Sequence, residues 1–201
     1  MGAGVFAELL SKTKPETLDA VVISHFHGDH CSDITVFNYY LQQKKKKLKL
    51  FAPVDNNTEL LSSLEWFEHI ETKDSSRVTI KGVTLDFFKT VHPRFCLGVS
   101  VTYNGKKFVY SADTNVCPAL DKALKGADLA VIDSAFSSAT YKENGPHLSA
   151  ELVAGYAKRH NVKTLLSHLP PEGDVGAIES EAKKVSPLCE LIDLAEYVIA
   201  D

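Results

Sequence analysis

Three histidines and an aspartate fall within six positions of the stretch HFHGDH, as His25, His27, Asp29 and His30. Because residues i and i+2 of an extended segment point to the same side, His25 and His27 can converge on one ion. Imidazole nitrogens and carboxylate oxygens are standard ligands for zinc and related transition metals. The cluster therefore predicts a metal site, and a polar surface loop is the alternative interpretation.

Further candidate ligands follow three later apolar segments. His92, Asp113 and His168 each come at the end of a predicted strand, which is where open α/β sheets place their chemistry. One histidine after a strand is more often incidental than a ligand, but three such residues downstream of the cluster favour a shared site. Because the first four residues cannot complete two ions, these three are predicted to supply the missing ligands.

The elements that must position these residues alternate between short apolar strands and amphipathic helices. Predicted strands cover 18–24, 47–53, two segments of 77–90 that meet at Gly82, 127–136, 162–168 and 189–194. Predicted helices cover 34–43, 57–70, a short segment from Pro118, 149–160 and 177–185. Residues 98–113 form a predicted β-hairpin whose two-residue turn is Asn104 and Gly105. This alternation predicts an α/β fold in one domain, 1–201, with sheets covered by helices.

Composition narrows the class of protein. The chain has 201 residues, is 44% hydrophobic and carries a formal charge of −4, so it can form a sizeable core and has no general attraction to nucleic acid. The lysine run at 44–47 is predicted to be a solvated linker. No apolar run approaches the roughly 20 residues that span a bilayer, and no secretory signal is visible. The scattered cysteines predict a reduced, cytoplasmic protein, and the lack of an apolar span predicts that it has no membrane partner.

The residues above, in this order, resemble the metallo-β-lactamase superfamily and, within it, the phosphodiesterase branch that includes ribonuclease Z. The resemblance extends from LDAVVISHFHGDHCSDI through YSADT to KTLLSHLPP. It implies a four-layer αββα sandwich of mixed sheets. It also implies two divalent metal ions, zinc with manganese or iron as alternatives. The implied ligands are His25, His27 and His92 for one ion, Asp29, His30 and His168 for the other, and Asp113 as the bridge.

The segment LAVIDSAF followed by HLSAELVAGYAKRHNVKTLLSH is similar to a ribonuclease Z segment in which a strand acid orients a histidine before a helix. Here the matching residues are Asp133 and His147, although the family usually has glutamate at the acidic position. Alternatively, His147 is an ordinary residue before the N-cap Ser149, and Asp133 forms a turn. The residues predicted to act in catalysis are Asp29, Asp133 and His147.

Two departures from the family bear on partners. The superfamily normally opens with several strands before the segment matched here, so the fold is predicted to be N-terminally incomplete. An uncovered sheet edge favours pairing with a second copy, which predicts a homodimer. Ribonuclease Z proteins often carry a tRNA-gripping arm between the motifs matched by His92 and Asp113. Only 21 positions separate these residues and the hairpin takes nearly all of them, so a nucleic-acid partner is not favoured.

The function favoured by these patterns is hydrolysis of a small nucleotide or related phosphodiester by a hydroxide that bridges the two metals. His147, held by Asp133, would protonate the leaving oxygen as general acid. The alternatives are a tRNA 3′-processing endoribonuclease, an acyl or thioester hydrolase, and a non-catalytic truncated metal-binding protein. β-Lactam hydrolases commonly have cysteine where Asp113 stands, and the di-iron branch has glutamate where His27 stands, which disfavours both subgroups.

Overall fold

The computed structural model describes residues 1–54, 58–193 and 196–199. It groups the chain into two compact units, one from Met1 to Lys73 and the other from Asp74 onward. Both units combine strands with helices, so the predicted mixed α/β class is confirmed. Whether the chain acts as the predicted single domain stays a prediction.

The first unit contains a parallel sheet of three strands. Its helices are α1 (Val5–Lys12), α2 (Gly28–Cys31), α3 (Ile34–Lys44) and α4 (Thr58–Ser63), with a 3-10 turn at Pro15–Thr17. Its strands are β1 (Ala20–Val22), β2 (Leu48–Ala52) and β3 (Phe67–Glu71), paired in the order β1-β2-β3. All pairs are parallel, so the histidine cluster follows the carboxyl end of β1.

Helix α3 is the element that follows the histidine cluster and the short helix α2. It buries Ile34, Phe37 and Leu41, which lie on one stripe because their spacing is close to the helical repeat. Phe37 stacks on Phe6 of α1 with ring centroids 4.8 Å apart. This packing fixes the start of α3 and therefore limits the positions that the short helix α2 can take.

The predicted helix over 57–70 is wrong in its second half. Helix α4 ends at Ser63, and Phe67–Glu71 is instead strand β3, in register with β2. The apolar residues of this stretch fit either period over so short a run. Parallel pairing with β2 supplies the backbone hydrogen bonds, and that pairing is a long-range effect which local spacing does not reveal. Asn57, the first residue of the predicted helix, lies outside the described residues.

The second unit is built on a mixed sheet of seven strands. Its strands are β4 (Arg77–Ile80), β5 (Val83–Lys89), β6 (Leu97–Tyr103), β7 (Lys106–Tyr110), β8 (Leu129–Asp133), β9 (Lys163–Ser167) and β10 (Cys189–Leu191). Its helices are α5 (Pro118–Ala123), α6 (Ala150–His160) and α7 (Val175–Val185). The strand order is β10-β9-β8-β7-β6-β5-β4. The predicted hairpin is confirmed, with Asn104 and Gly105 in the left-handed conformation that its two-residue turn requires.

Strand direction decides which loops meet in this unit. Strands β7, β8 and β9 are parallel neighbours. Strand β6 runs antiparallel to both β5 and β7, so β5 has the same direction as β7. The carboxyl ends of β5, β7, β8 and β9 therefore lie at one edge of the sheet. The segments that leave this edge carry the candidate ligands of the second unit.

The core of the second unit holds that edge in place. Helices α5, α6 and α7 bury Leu120, Val153 and Ile178 in one apolar cluster with Ile132 of β8 and Leu166 of β9.

Among residues 1–54, 58–193 and 196–199, no helix has the length and apolar character that crossing a bilayer demands.

Candidate metal centre and catalytic pair

The first unit carries its predicted ligands on the loop and short helix after β1. His25 is completely buried, and His27 has an extended backbone (φ −73°, ψ 148°) directly before α2. His25 Nε2 lies 3.1 Å from His27 Nδ1. Two nitrogens bound to one tetrahedral zinc at about 2.0–2.1 Å would be about 3.3 Å apart. The two imidazoles thus have the spacing of ligands that share an ion.

Helix α2 brings the other two residues of the cluster together. Its single turn places Asp29 Oδ2 3.1 Å from His30 Nε2, and the His30 ring lies 4.3 Å from that of His25. The Ser24 hydroxyl lies 3.2 Å from His25 Nδ1. A hydrogen bond to the far nitrogen is the usual way in which proteins orient a histidine ligand. All four residues predicted from the HFHGDH stretch are therefore neighbours in the structure.

In the second unit, Asp113 lies between two imidazoles. It is 2% exposed, and its Oδ2 is 3.8 Å from His92 Nε2 and 3.4 Å from His168 Nε2. His92 Nδ1 lies 3.1 Å from the carbonyl oxygen of Arg94. Because a carbonyl only accepts, Nδ1 carries the proton and Nε2 presents its lone pair towards Asp113. A carboxylate oxygen between two such nitrogens has the placement of a bridging ligand.

The backbone turns sharply where these ligands leave the sheet. His168 has φ 57° and Ala112, next to Asp113, has φ 53°. The left-handed region costs a residue with a side chain about 1 kcal/mol. Strained residues of this kind cluster at functional sites, where the surrounding structure imposes them. Here the strained residues lie shortly after β7 and directly after β9, where Asp113 and His168 leave the sheet edge.

Asp133 is buried and His147 is half-buried, and the two form a hydrogen-bonded pair beside Asp113 and His168. His147 Nδ1 donates to Asp133 Oδ2 at 2.7 Å, and the His147 ring stacks on that of His168 with centroids 4.6 Å apart. Burial raises the pKa of the Asp133 carboxyl, and the hydrogen bond from His147 acts in the opposite direction. With Nδ1 committed to Asp133, Nε2 of His147 is the nitrogen that can exchange a proton with another molecule.

The donors of the second unit fit a divalent metal. One nitrogen or oxygen atom from each of Asp113, Asp133, His147 and His168 lies within 4.8 Å of the other three. Nitrogen and oxygen ligands of this type suit zinc, manganese and iron. The same distances allow Asp133 and His147 to be ligands themselves, so their assignment as a catalytic pair is a proposal.

Two functional candidates were not found in the sequence. Thr114 donates its backbone N–H to Asp133 Oδ2 at 2.9 Å, and the buried Asn115 contacts the loop before His147. They are the two residues after the candidate ligand Asp113, and that position is the only signal that the sequence contains. A threonine and an asparagine at a strand end are also typical turn residues, so their types do not separate the two roles.

Fold and site together define a mixed α/β protein with clustered candidate metal ligands. Residues 4–169 match the family described as the Beta-lactamase superfamily domain. Since this match covers most of the chain, the chain belongs to that family. The metallo-β-lactamase resemblance and fold are thereby confirmed, and membership supports a metal-dependent hydrolase.

Individual relatives agree with this assignment. The chain is 28% identical to the probable metallo-hydrolase YhfI of Bacillus subtilis over 194 residues, covering 92% of this chain and 79% of that protein. The crystal structure of YhfI superimposes with a TM-score of 0.85 at 27% identity, covering 92% of this chain and 78% of YhfI. Ribonuclease Z of Methanosarcina acetivorans is 24% identical over 249 residues, covering 92% of this chain and 82% of that protein.

Proposed function

We propose that the chain holds a dinuclear metal centre and hydrolyses a small nucleotide or related phosphodiester. The family match covers residues 4–169, and each unit gathers its own predicted ligands. In this proposal His25, His27 and His92 hold one ion, Asp29, His30 and His168 hold the other, and Asp113 bridges them. Zinc is the proposed metal, with manganese or iron as alternatives.

Bound metals would supply Lewis-acid activation of water and stabilise charge on phosphoryl oxygens. Neighbouring groups orient the proposed ligands: the Ser24 hydroxyl holds the ring of His25, and the Arg94 carbonyl holds the ring of His92. Burial of His25 and Asp113 lowers the local dielectric constant around the donors, which strengthens electrostatic interactions there.

The observation that carries the assignment to diesters is the 2.7 Å contact of His147 Nδ1 with Asp133 Oδ2. Diester hydrolysis expels an alkoxide, a poor leaving group that needs a proton as the bond breaks. Asp133 fixes the ring and stabilises the imidazolium form, so that His147 Nε2 donates its proton to the leaving oxygen. The Thr114 and Ala135 backbone N–H groups, 2.9 and 3.2 Å from the Asp133 oxygens, fix the carboxylate in turn.

A tRNA 3′-processing activity is the second candidate, and the ribonuclease Z relative favours it. The stretch between His92 and Asp113 is taken up by β6, the two-residue turn and β7, where ribonuclease Z proteins often carry their tRNA-gripping arm. The formal charge of −4 also gives no general attraction to a polyanion. A small diester is therefore the substrate class that we propose first.

A substrate panel tests this assignment. The zinc-, manganese- or iron-loaded protein would be assayed with thymidine 5′-phosphate p-nitrophenyl ester, with a precursor tRNA, and with a lactam and a thioester. We expect turnover of the nucleotide diester that disappears on chelation and returns with metal. Cleavage of the precursor tRNA alone would establish the second candidate, and turnover of only the lactam or thioester would overturn the diester assignment. The predicted homodimer stays a prediction, which sedimentation equilibrium would measure.

A further inference from the structure

The buried side chain of Asn115 is bonded at both ends. It is 2% exposed, and its Nδ2 donates to the carbonyls of Lys142, Glu143 and Gly145 at 3.3, 3.0 and 2.6 Å. Its Oδ1 accepts from the backbone N–H of Val116 at 2.7 Å and from the Tyr141 hydroxyl at 2.8 Å. One side chain thus joins the segment after β7 to a loop 27 to 30 positions further along the chain.

The clamped loop ends at His147. Gly145 N–H donates to the Lys142 carbonyl at 2.8 Å, which closes a turn within the loop. On the other side of His147, the buried Leu148 and the N-cap Ser149 begin α6. His147 is therefore fixed by a helix on its carboxyl side and by the Asn115 contacts on its amino side.

The residue before Asn115 holds the partner of His147. Thr114 N–H donates to Asp133 Oδ2 at 2.9 Å, and His147 Nδ1 donates to the same oxygen. The Thr114 hydroxyl accepts from the backbone N–H of Val91 at 3.1 Å. Residues 114 and 115 thus hold the carboxylate and the imidazole-bearing loop from one short segment.

We propose that Asn115 is a positioning residue that sets the place of His147 by clamping the loop at residues 142–145. This inference rests on the proposed function, because it gives His147 the role of general acid. Asn115 itself touches no reacting atom. It acts by keeping Nδ1 of His147 on Asp133, which leaves Nε2 directed towards the leaving oxygen.

The test uses Asn115→Asp, which preserves shape but replaces the two N–H donors with an oxygen facing three carbonyls. Two substrates differ only in leaving group, the p-nitrophenyl and methyl esters of thymidine 5′-phosphate. A weakly basic phenolate departs without a proton, whereas methoxide needs one. We expect kcat for the methyl ester to fall by about 10- to 100-fold, and kcat for the aryl ester and both KM values to change by less than about threefold.

A second readout needs no substrate. In the ¹⁵N-histidine-labelled, zinc-loaded protein, the Nδ1 proton of His147 should give a downfield NMR signal, assigned by its loss in His147→Gln. We expect Asn115→Asp to broaden or remove that signal. A retained signal together with equal losses of kcat for the two esters would overturn the inference. If the wild type hydrolyses neither ester, the diester assignment fails, and the NMR signal still decides whether Asn115 positions His147.

Two control variants and one replacement variant accompany Asn115→Asp. Asn161→Asp makes the same chemical change at the exposed C-cap of α6 and should leave both readouts unchanged. Tyr141→Phe removes one hydroxyl and keeps the three carbonyl contacts, so the leaving-group ratio should stay within about threefold of wild type. If Asn115→Asp does not fold, Gly145→Ala replaces it, because a Cβ there would lie 3.0 Å from the Lys142 carbonyl oxygen. It should lower the methyl-ester kcat selectively, and an unchanged ratio would overturn the inference.

Discussion

His147 Nδ1 and Asp133 Oδ2 lie 2.7 Å apart although the two residues are 14 positions apart in the chain. Asp133 is the last residue of β8, and His147 lies two residues before Ser149, the N-cap of α6. The return of the chain from the strand to the helix creates the pair, at the sheet edge that also carries Asp113 and His168. A carboxylate that orients an imidazole beside candidate metal ligands is the arrangement on which the proposed chemistry depends.

Replacing Asp133 by Asn should disable the general acid without emptying the site. An amide has one acceptor oxygen, whereas the Asp133 carboxylate accepts from His147, Thr114 and Ala135, so the imidazole would lose its fixed orientation. We expect kcat for the methyl ester of thymidine 5′-phosphate to fall by about 100-fold, since general acid catalysis contributes about 10²–10⁴. Steady-state kinetics with the methyl and aryl esters would measure it.

The control for this prediction is Asp128→Asn, an exposed aspartate of the same unit, which should leave the ratio of the two kcat values unchanged. Equal losses on both esters in Asp133→Asn would show that the carboxylate supports the site structurally. Loss of bound metal in the same variant would instead identify Asp133 as a ligand.

Gly98→Ala should destabilise the second unit. A Cβ at this position would overlap the ring of Phe88 on the paired strand and lie 2.9 Å from the Ser111 carbonyl oxygen. Overpacking of this kind costs about 1–3 kcal/mol, and urea unfolding would measure the loss. Gly155→Ala is the matched control, because its Cβ meets nothing within 4 Å and it lies in α6. That change should be neutral or stabilise by up to about 1 kcal/mol. Equal unfolding free energies for the two variants would contradict the claim that Phe88 and Ser111 leave no room for a side chain at position 98 of β6.

Asp121 should make the unfolding free energy depend on pH in acid. It accepts from His160 Nε2 at 3.0 Å and from Arg159 Nη1 at 2.5 Å. These contacts, the His160 hydrogen bond first, lower its pKa from 3.8. Because the folded-state pKa is lowered, the stabilisation is present above 3.8 and is lost as the pH falls through the folded value. We expect Asp121→Asn to lower the unfolding free energy by less than about 1 kcal/mol near pH 5, since the pair is partly exposed.

Urea titrations across acid pH would measure this difference. It should shrink as the pH falls below 3.8, the ordinary value for this carboxyl. Glu172→Gln makes the same charge change at an exposed position and serves as the reference. A difference that grows towards lower pH would have the wrong sign and would refute the claim that the pKa of Asp121 is lowered in the folded protein.

The sequence predicted where the candidate ligands lie in the fold, because each follows an apolar run whose strand character is local. Asp113 and His168 follow β7 and β9, which are paired on both sides inside the sheet, and the alternation of β6 and β7 around Asn104 is unambiguous. The spacing did not reveal that β5 and β7 run in the same direction, which is what brings His92 to the edge that holds Asp113. That direction follows from two successive antiparallel pairings, and it is a property of the whole sheet.

Other features were beyond local inference. The segment at Phe67 has an apolar spacing compatible with a helix, and its pairing with β2 overrides that preference. The role of Asn115 depends on carbonyls almost 30 positions away, so no local pattern indicates it. Helix α1 was not predicted, although Phe6 is one of its buried residues. In each case the deciding interaction is tertiary.

The central proposal is that the chain holds two metal ions, and metal content tests it most directly. Wild-type protein, purified and dialysed against zinc, should contain about two ions per chain by inductively coupled plasma mass spectrometry. His25→Ala and His168→Ala, one from each unit, should each lower that number, whereas His147→Gln should retain two. A wild-type protein without bound metal, or ligand variants that keep the full complement, would contradict the account.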